Sequence, residues 1–170
     1  MCWGSIEGNF QKNLTDIRIA IAGDLHGSWS QDDLDLLLEL NPDGVLFVGD
    51  LSDGDLRIVR GINKISIPTS VVLGNHDRGR DGSGNVLQAQ LDLLGEKNCS
   101  WNLSKWTLNE LSVVGARPCS GGGGFFLTPE VKSVFGEVSL DESVFRIVSA
   151  AKSAPLDFPL LILAHSGPVG

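Results

Sequence analysis

The sequence predicts an α/β fold, and three observations carry that expectation. Short apolar runs alternate with amphipathic ones along the chain, as strands interleaved with helices do. Capping and turn residues fall at the junctions between them. Four apolar runs end at a small residue followed at once by Asp, Asn or His.

Taken in order, Ile17 to Ala22 reads as a buried strand stopping at Gly23. Ser30 caps a helix through Leu40, with Leu34, Leu37 and Leu38 on one face. Asn41-Pro42-Asp43-Gly44 is a turn, and Val45 to Val48 a second strand ending at Gly49. A helix from Leu56 to Ile65 carries Ile58, Val59 and Ile62 at helical spacing. Pro68 opens a third strand, Thr69 to Leu73, before Gly74. An Arg- and Gly-rich loop, Asp77 to Gly84, leads to a helix over Val86 to Leu94 with Gly95 as its C-cap. Trp106 to Leu108 and Leu111 to Val114 read as a hairpin around Asn109-Glu110. After the run Gly121 to Gly124, Ser139 and Glu142 form a capping box for a helix through Lys152. Pro159 to Ala164 is the last apolar strand. With no internal repeat and no linker, residues 1–170 read as one domain.

Composition excludes several classes. No stretch approaches the ~18 apolar residues of a membrane span, and the N-terminus has neither a secretory nor a transit-peptide pattern. Cys2, Cys99 and Cys119 form no C-x-x-C pair, which points to reduced thiols and an intracellular, cytoplasmic setting. Plastid stroma is the alternative if a longer form carries a transit peptide. The net charge of −8 disfavours nucleic acid as a partner. A phosphorylated substrate would need a local reversal of sign, which bound cations supply. There is no Walker-type glycine loop and no G-x-S-x-G, so neither a P-loop NTPase nor a serine hydrolase fits.

The chemistry sits at the four strand ends. They run into Gly23-Asp24-Leu25-His26-Gly27, Gly49-Asp50-Leu51-Ser52-Asp53, Gly74-Asn75-His76-Asp77 and Ala164-His165-Ser166-Gly167. Neighbouring parallel strands would gather these residues in one crevice beyond their carboxyl ends. Gly23 and Gly27 would permit the tight turn that aims Asp24 and His26 at one point. Mixed oxygen and nitrogen donors suit Mn, Fe or Zn better than Ca or Mg. The chain has three histidines, and each follows an apolar strand.

In order and spacing this set resembles the calcineurin-like metallophosphoesterase superfamily. The first aspartate and the second are 50 − 24 = 26 residues apart, and the asparagine follows after 75 − 50 = 25. The resemblance implies a β-sandwich of mixed sheets flanked by helices. It implies that Asp24 and His26 hold one metal, that Asp50 bridges two, and that Asn75 and His165 hold the second. His76 would be the acid that protonates the leaving oxygen, with Asp77 orienting its ring. A hydroxide activated by the two metals would attack the phosphate ester of a small substrate. Arg78 and Arg80 either pair with phosphate oxygens or are solvated loop residues. Arg117-Pro118-Cys119-Ser120 and the glycines after it either cover the site or simply connect. The overall pattern, including Gly115-Ala116-Arg117-Pro118 before the glycine run, is similar to uncharacterised plant and cyanobacterial members.

The family pattern adds a G-x-H or G-H-x-H after the lone histidine, giving each metal one more ligand. No such motif follows His165, so the expected fold is incomplete at the C-terminus. A truncated chain is the preferred reading. The alternative is a catalytically inactive member that keeps the fold as a binding or scaffold protein, against which the presence of His76 argues.

Overall fold

The computed structural model describes residues 17–107, 110–121 and 127–166. The first half follows the βα alternation: β1 Ile19–Ala22, α1 Gln31–Glu39, β2 Gly44–Phe47, α2 Leu56–Asn63, β3 Thr69–Val71 and α3 Asn85–Leu94. Its three strands form one parallel sheet in the order β1-β2-β3, with Ile19 opposite Gly44 and Val45 opposite Thr69. The second half contains β4 Leu103–Trp106, β5 Leu111–Gly115, α4 Pro129–Phe135, α5 Leu140–Lys152 and β6 Leu160–Leu163. Its sheet runs β4-β5-β6, antiparallel then parallel. This is the mixed two-sheet, helix-flanked sandwich that the resemblance implies. Among the described residues no helix is long and apolar enough to cross a membrane.

Strand alternation places a core on each face of β2. Val45 and Phe47 join Leu34, Leu37, Leu51, Val59, Ile62 and Leu87 beneath the helices. Leu46 faces the other way and packs with Val72, Trp106, Val113 and Leu163 between the sheets. A strand buried on both faces must be apolar throughout, which is why β2 shows no alternation in sequence. Trp106 fixes the spacing of the sandwich. Its indole N–H donates to Ser70 Oγ at 3.0 Å, and a Cβ at Gly44 would lie 2.4 Å from its ring.

The helix ends follow their capping residues. Ser30 and Asp33 form a reciprocal capping box on α1, and Asp55 accepts from Arg57 N to open α2. Lys97 closes the other end of α2 by donating to the carbonyls of Ile62, Asn63 and Ile65. Ser139 caps α5, but the Glu142 carboxylate turns to Arg146 at 2.8 Å.

Several expectations need correction. Leu38 is 41% exposed, because α1 buries only Leu34 and Leu37. β1 is an edge strand with Ile21 67% exposed, so it is not buried throughout. Gly44 belongs to β2 and not to the preceding turn. The first strand of the hairpin starts earlier, at Leu103, while Leu108 and Asn109 lie outside the described residues. Helix α4 has no counterpart in the sequence reading, since its seven residues are too few to display a period. The final strand does not neighbour the first three; it belongs to the second sheet and reaches the crevice from across the sandwich. Cys99 and Cys119 are buried free thiols. Burial pushes Cys99 up to about 12 and Cys119 upward as well, so neither is a nucleophile at neutral pH. Cys2 lies outside the described residues.

Candidate metal centre

The loop after β1 is stitched to the loop after β2 by its backbone. Asp24, His26 and Gly27 donate N–H groups to the carbonyls of Gly49, Asp50 and Leu51 at 2.9–3.0 Å. To run side by side, these loops place Asp24, His26, Asp50 and Asp53 at φ of 47–51°. That left-handed conformation is unfavourable for side chains other than those of Gly, Asn and Asp. Three of the four are Asp, which adopts it readily, so any strain falls on His26, whose backbone N–H is held by the Asp50 carbonyl. Gly23 does not supply the turn; it supplies room, since its Cβ would lie 2.4 Å from Val48 Cγ2. Gly74 does the same for the loop after β3, where a Cβ would meet Asp50 N and Oδ1 at 2.2 Å.

Two donor clusters result, and Asp50 belongs to both. Ligand atoms of Asp24, His26 and Asp50 lie within 4.8 Å of one another. On the other side, His165 Nε2 is 3.3 Å from Asp50 Oδ2 and 3.2 Å from Asn75 Oδ1. His165 Nδ1 donates to the Val48 carbonyl at 2.7 Å, which aims Nε2 at Asp50 and Asn75. Asp50 Oδ2, Asn75 Oδ1 and His165 Nε2 thus meet at one place. With Nε2 unprotonated, this mixed oxygen and nitrogen set would suit a metal cation. Asp50 is 5% exposed and its Oδ1 accepts from His76 N at 2.8 Å. The five residues expected to hold metal are therefore brought together.

The remaining expected residues divide. The ring of His76 stands at right angles to that of His26, 4.8 Å between centroids. The carboxylate beside it is that of Asp53, not Asp77. Asp53 Oδ1 lies 3.7 Å from His76 Nδ1 and 3.0 Å from His26 Nδ1. Its hydrogen bond holds His26 above the ordinary histidine pKa, against a smaller opposing effect of burial. Asp77 is wholly buried and accepts from Leu51 N, Ser52 N, Ser52 Oγ and Gly74 N. It locks the second loop to the third, and Gln90 of α3 completes the lock through Ser52 and the Asp77 carbonyl.

Arg78 is also committed internally. It donates to the Asn75 carbonyl and sits 3.6 Å from Glu130 of α4, an ion pair too long to be a hydrogen bond. Arg80 is exposed and lines a cavity of about 410 Å³ with Asp53, His76 and Gly79. Arg117 to Ser120 do not form a cover: Cys119 N donates to the Leu73 carbonyl at 2.7 Å, and Ser120 bridges to Gly74. Gly121 fits closely against Asn75, while Gly122 to Gly124 lie outside the described residues. The sequence reading missed Asp53 although it ends the quoted Gly-Asp-Leu-Ser-Asp run. Its partners, His26 and His76, come from two other loops, so nothing local in the sequence marked its role.

The family model described as calcineurin-like phosphoesterase matches residues 17–165, a span that holds every motif from Gly23 to His165. No curated protein and no solved structure matches the chain. From the family match, the chain belongs to the calcineurin-like phosphoesterases.

Proposed function

We propose that this chain hydrolyses a small phosphorylated substrate with the help of two transition-metal ions, Mn, Fe or Zn. The observation that carries this reading is the pair of donor clusters sharing Asp50. Asp24, His26 and Asp50 would hold one ion, and Asp50, Asn75 and His165 the other. When bound, the ions supply Lewis acidity toward phosphoryl oxygens and an activated water. His76 holds the proton that the leaving oxygen takes up. Its Nδ1 faces Asp53, which leaves Nε2 as the delivering atom. Arg80 lines the cavity beside His76 and would pair with the phosphate. Arg78 does not serve in that way; it fixes the Asn75 carbonyl from behind.

The test is metal content by mass spectrometry combined with hydrolysis of an aryl phosphate in added manganese. His76→Ala should lower kcat by about 10²–10⁴-fold with metal content retained, and Asp50→Asn should lower both. A folded chain that takes up none of the three metals and hydrolyses nothing would sink the proposal. The inactive binding-protein reading would then take its place.

A further inference from the structure

The side chains of His26, Asp53 and His76 form a third donor group, which shares His26 with the Asp24, His26 and Asp50 cluster and does not include Asp50. Their ligand atoms all lie within 4.8 Å of one another. Asp53 Oδ1 occupies the middle, 3.0 Å from His26 Nδ1 and 3.7 Å from His76 Nδ1. Bonds of about 2.1 Å in a tetrahedral arrangement put neighbouring ligand atoms about 3.4 Å apart, so zinc would open the His26–Asp53 hydrogen bond and draw His76 toward Asp53, each by a few tenths of an ångström. The histidine rings meet edge to face and can turn slightly, since both side chains are about two-fifths exposed. Each ligand comes from a different loop, after β1, β2 and β3 respectively, and the group opens on the cavity that Arg80 and Gly79 also line. A fourth position is left to solvent, as in open zinc sites.

We propose that His26, Asp53 and His76 form an additional zinc-type site whose occupancy is incompatible with the working arrangement. A metal here takes the Nδ1 lone pairs of both rings. Zinc at Nδ1 requires each ring to carry its proton at Nε2: a neutral ring protonated at Nδ1 transfers that proton to Nε2 by exchange with solvent, and a doubly protonated ring releases its Nδ1 proton to solvent. His76 is then held by metal and cannot turn to a leaving oxygen, and His26 is held beside Asp53 and away from Asp24 and Asp50. Excess zinc therefore inhibits. The inhibition rests on the hydrolase reading; the site itself does not.

The test uses chelator-stripped protein titrated with zinc chloride, followed by the ¹⁵N signals of the histidine rings. His76 lies outside both clusters that share Asp50, so a coordination shift at its Nδ1 reports this site alone. The expected result is such a shift at saturating zinc, with the affinity for it reduced about 10–100-fold in Asp53→Asn. Asparagine tolerates the positive φ of that position, and an unchanged thermal midpoint checks that the variant folds. No coordination shift at His76, or one that Asp53→Asn leaves unaltered, overturns the proposal. The two readings fail separately. Coordination at His76 without aryl phosphate hydrolysis in manganese keeps this site and removes the enzyme. Hydrolysis that excess zinc leaves untouched, with His76 silent, keeps the enzyme and removes this site.

Discussion

Sheet β1-β2-β3 and sheet β4-β5-β6 lie in one sandwich, each with a buried central strand, β2 or β5, and a partly exposed edge strand, β1 or β6; they differ in the loops and helices around them. In the first, the loops leaving β1 and β2 hold four non-glycine residues at positive φ, three of them Asp. In the second, β6 leaves Leu160 and Ile162 exposed, and α5 leaves Leu140, Val144, Phe145 and Val148 exposed. Among the described residues the first half supplies Asp24, His26, Asp50, Asn75 and His76, whereas the second supplies His165. The loops after β1 and β2 are held by backbone bonds to each other and by the buried Asp77 carboxylate. A single imidazole needs only one anchor, which for His165 is the Val48 carbonyl.

The difference can be broken most severely at Asp77. Removing its carboxylate in Asp77→Ala orphans the buried N–H groups of Leu51, Ser52 and Gly74. The cost should be about 3–5 kcal/mol, read from urea unfolding, with metal uptake lost at the same time. Gly74→Ala comes next. Its methyl group has no room beside Asp50, so about 1–3 kcal/mol should go as the two loops part. A normal midpoint in Gly74→Ala would mean that the loops are slacker than they look.

His165→Ala should separate metal affinity from stability. Metal binding weakens, by calorimetry, while the unfolding midpoint stays close to the parent's, because the loops after β1 and β2 are bonded to each other without it. An equal loss of both would place the second sheet among the supports. Ser30→Ala should cost about 1 kcal/mol. The hydrogen bonds from Ser30 keep Asp33 below the ordinary carboxylate pKa, so that carboxylate stabilises α1 above this range. The contribution is lost as pH falls through the depressed pKa, and the midpoints of parent and variant should converge in acid. The smallest effect belongs to the second half. Ile162→Thr keeps a β-branched residue on an exposed position, and its unfolding free energy should change by no more than about 0.5 kcal/mol.

The candidate metal ligands were legible because their residue types stand just beyond apolar runs. Position marked Asp24, His26, Asp50, Asn75 and His165 as able to bind metal, and the family resemblance implied the role of each. What Asp53, Asp77 and Arg78 do was not legible. Each is a charged side chain in a loop, and its partner comes from another part of the chain: His26, Ser52 and Glu130. Helix α4 was equally hidden, and it carries the Glu130 that draws Arg78 away from solvent.

By itself, the sequence determined the alternation of strands and helices, the caps, and the residue types able to bind metal, all of which depend on a few neighbouring positions. Only the tertiary structure decided which sheet received the last strand, which carboxylate met His76, and which arginine stayed free for the cavity. Those choices depend on how loops from separate strands pack together, with backbone forced to positive φ and side chains placed by contacts far apart in sequence. No local pattern in the chain encodes such distances.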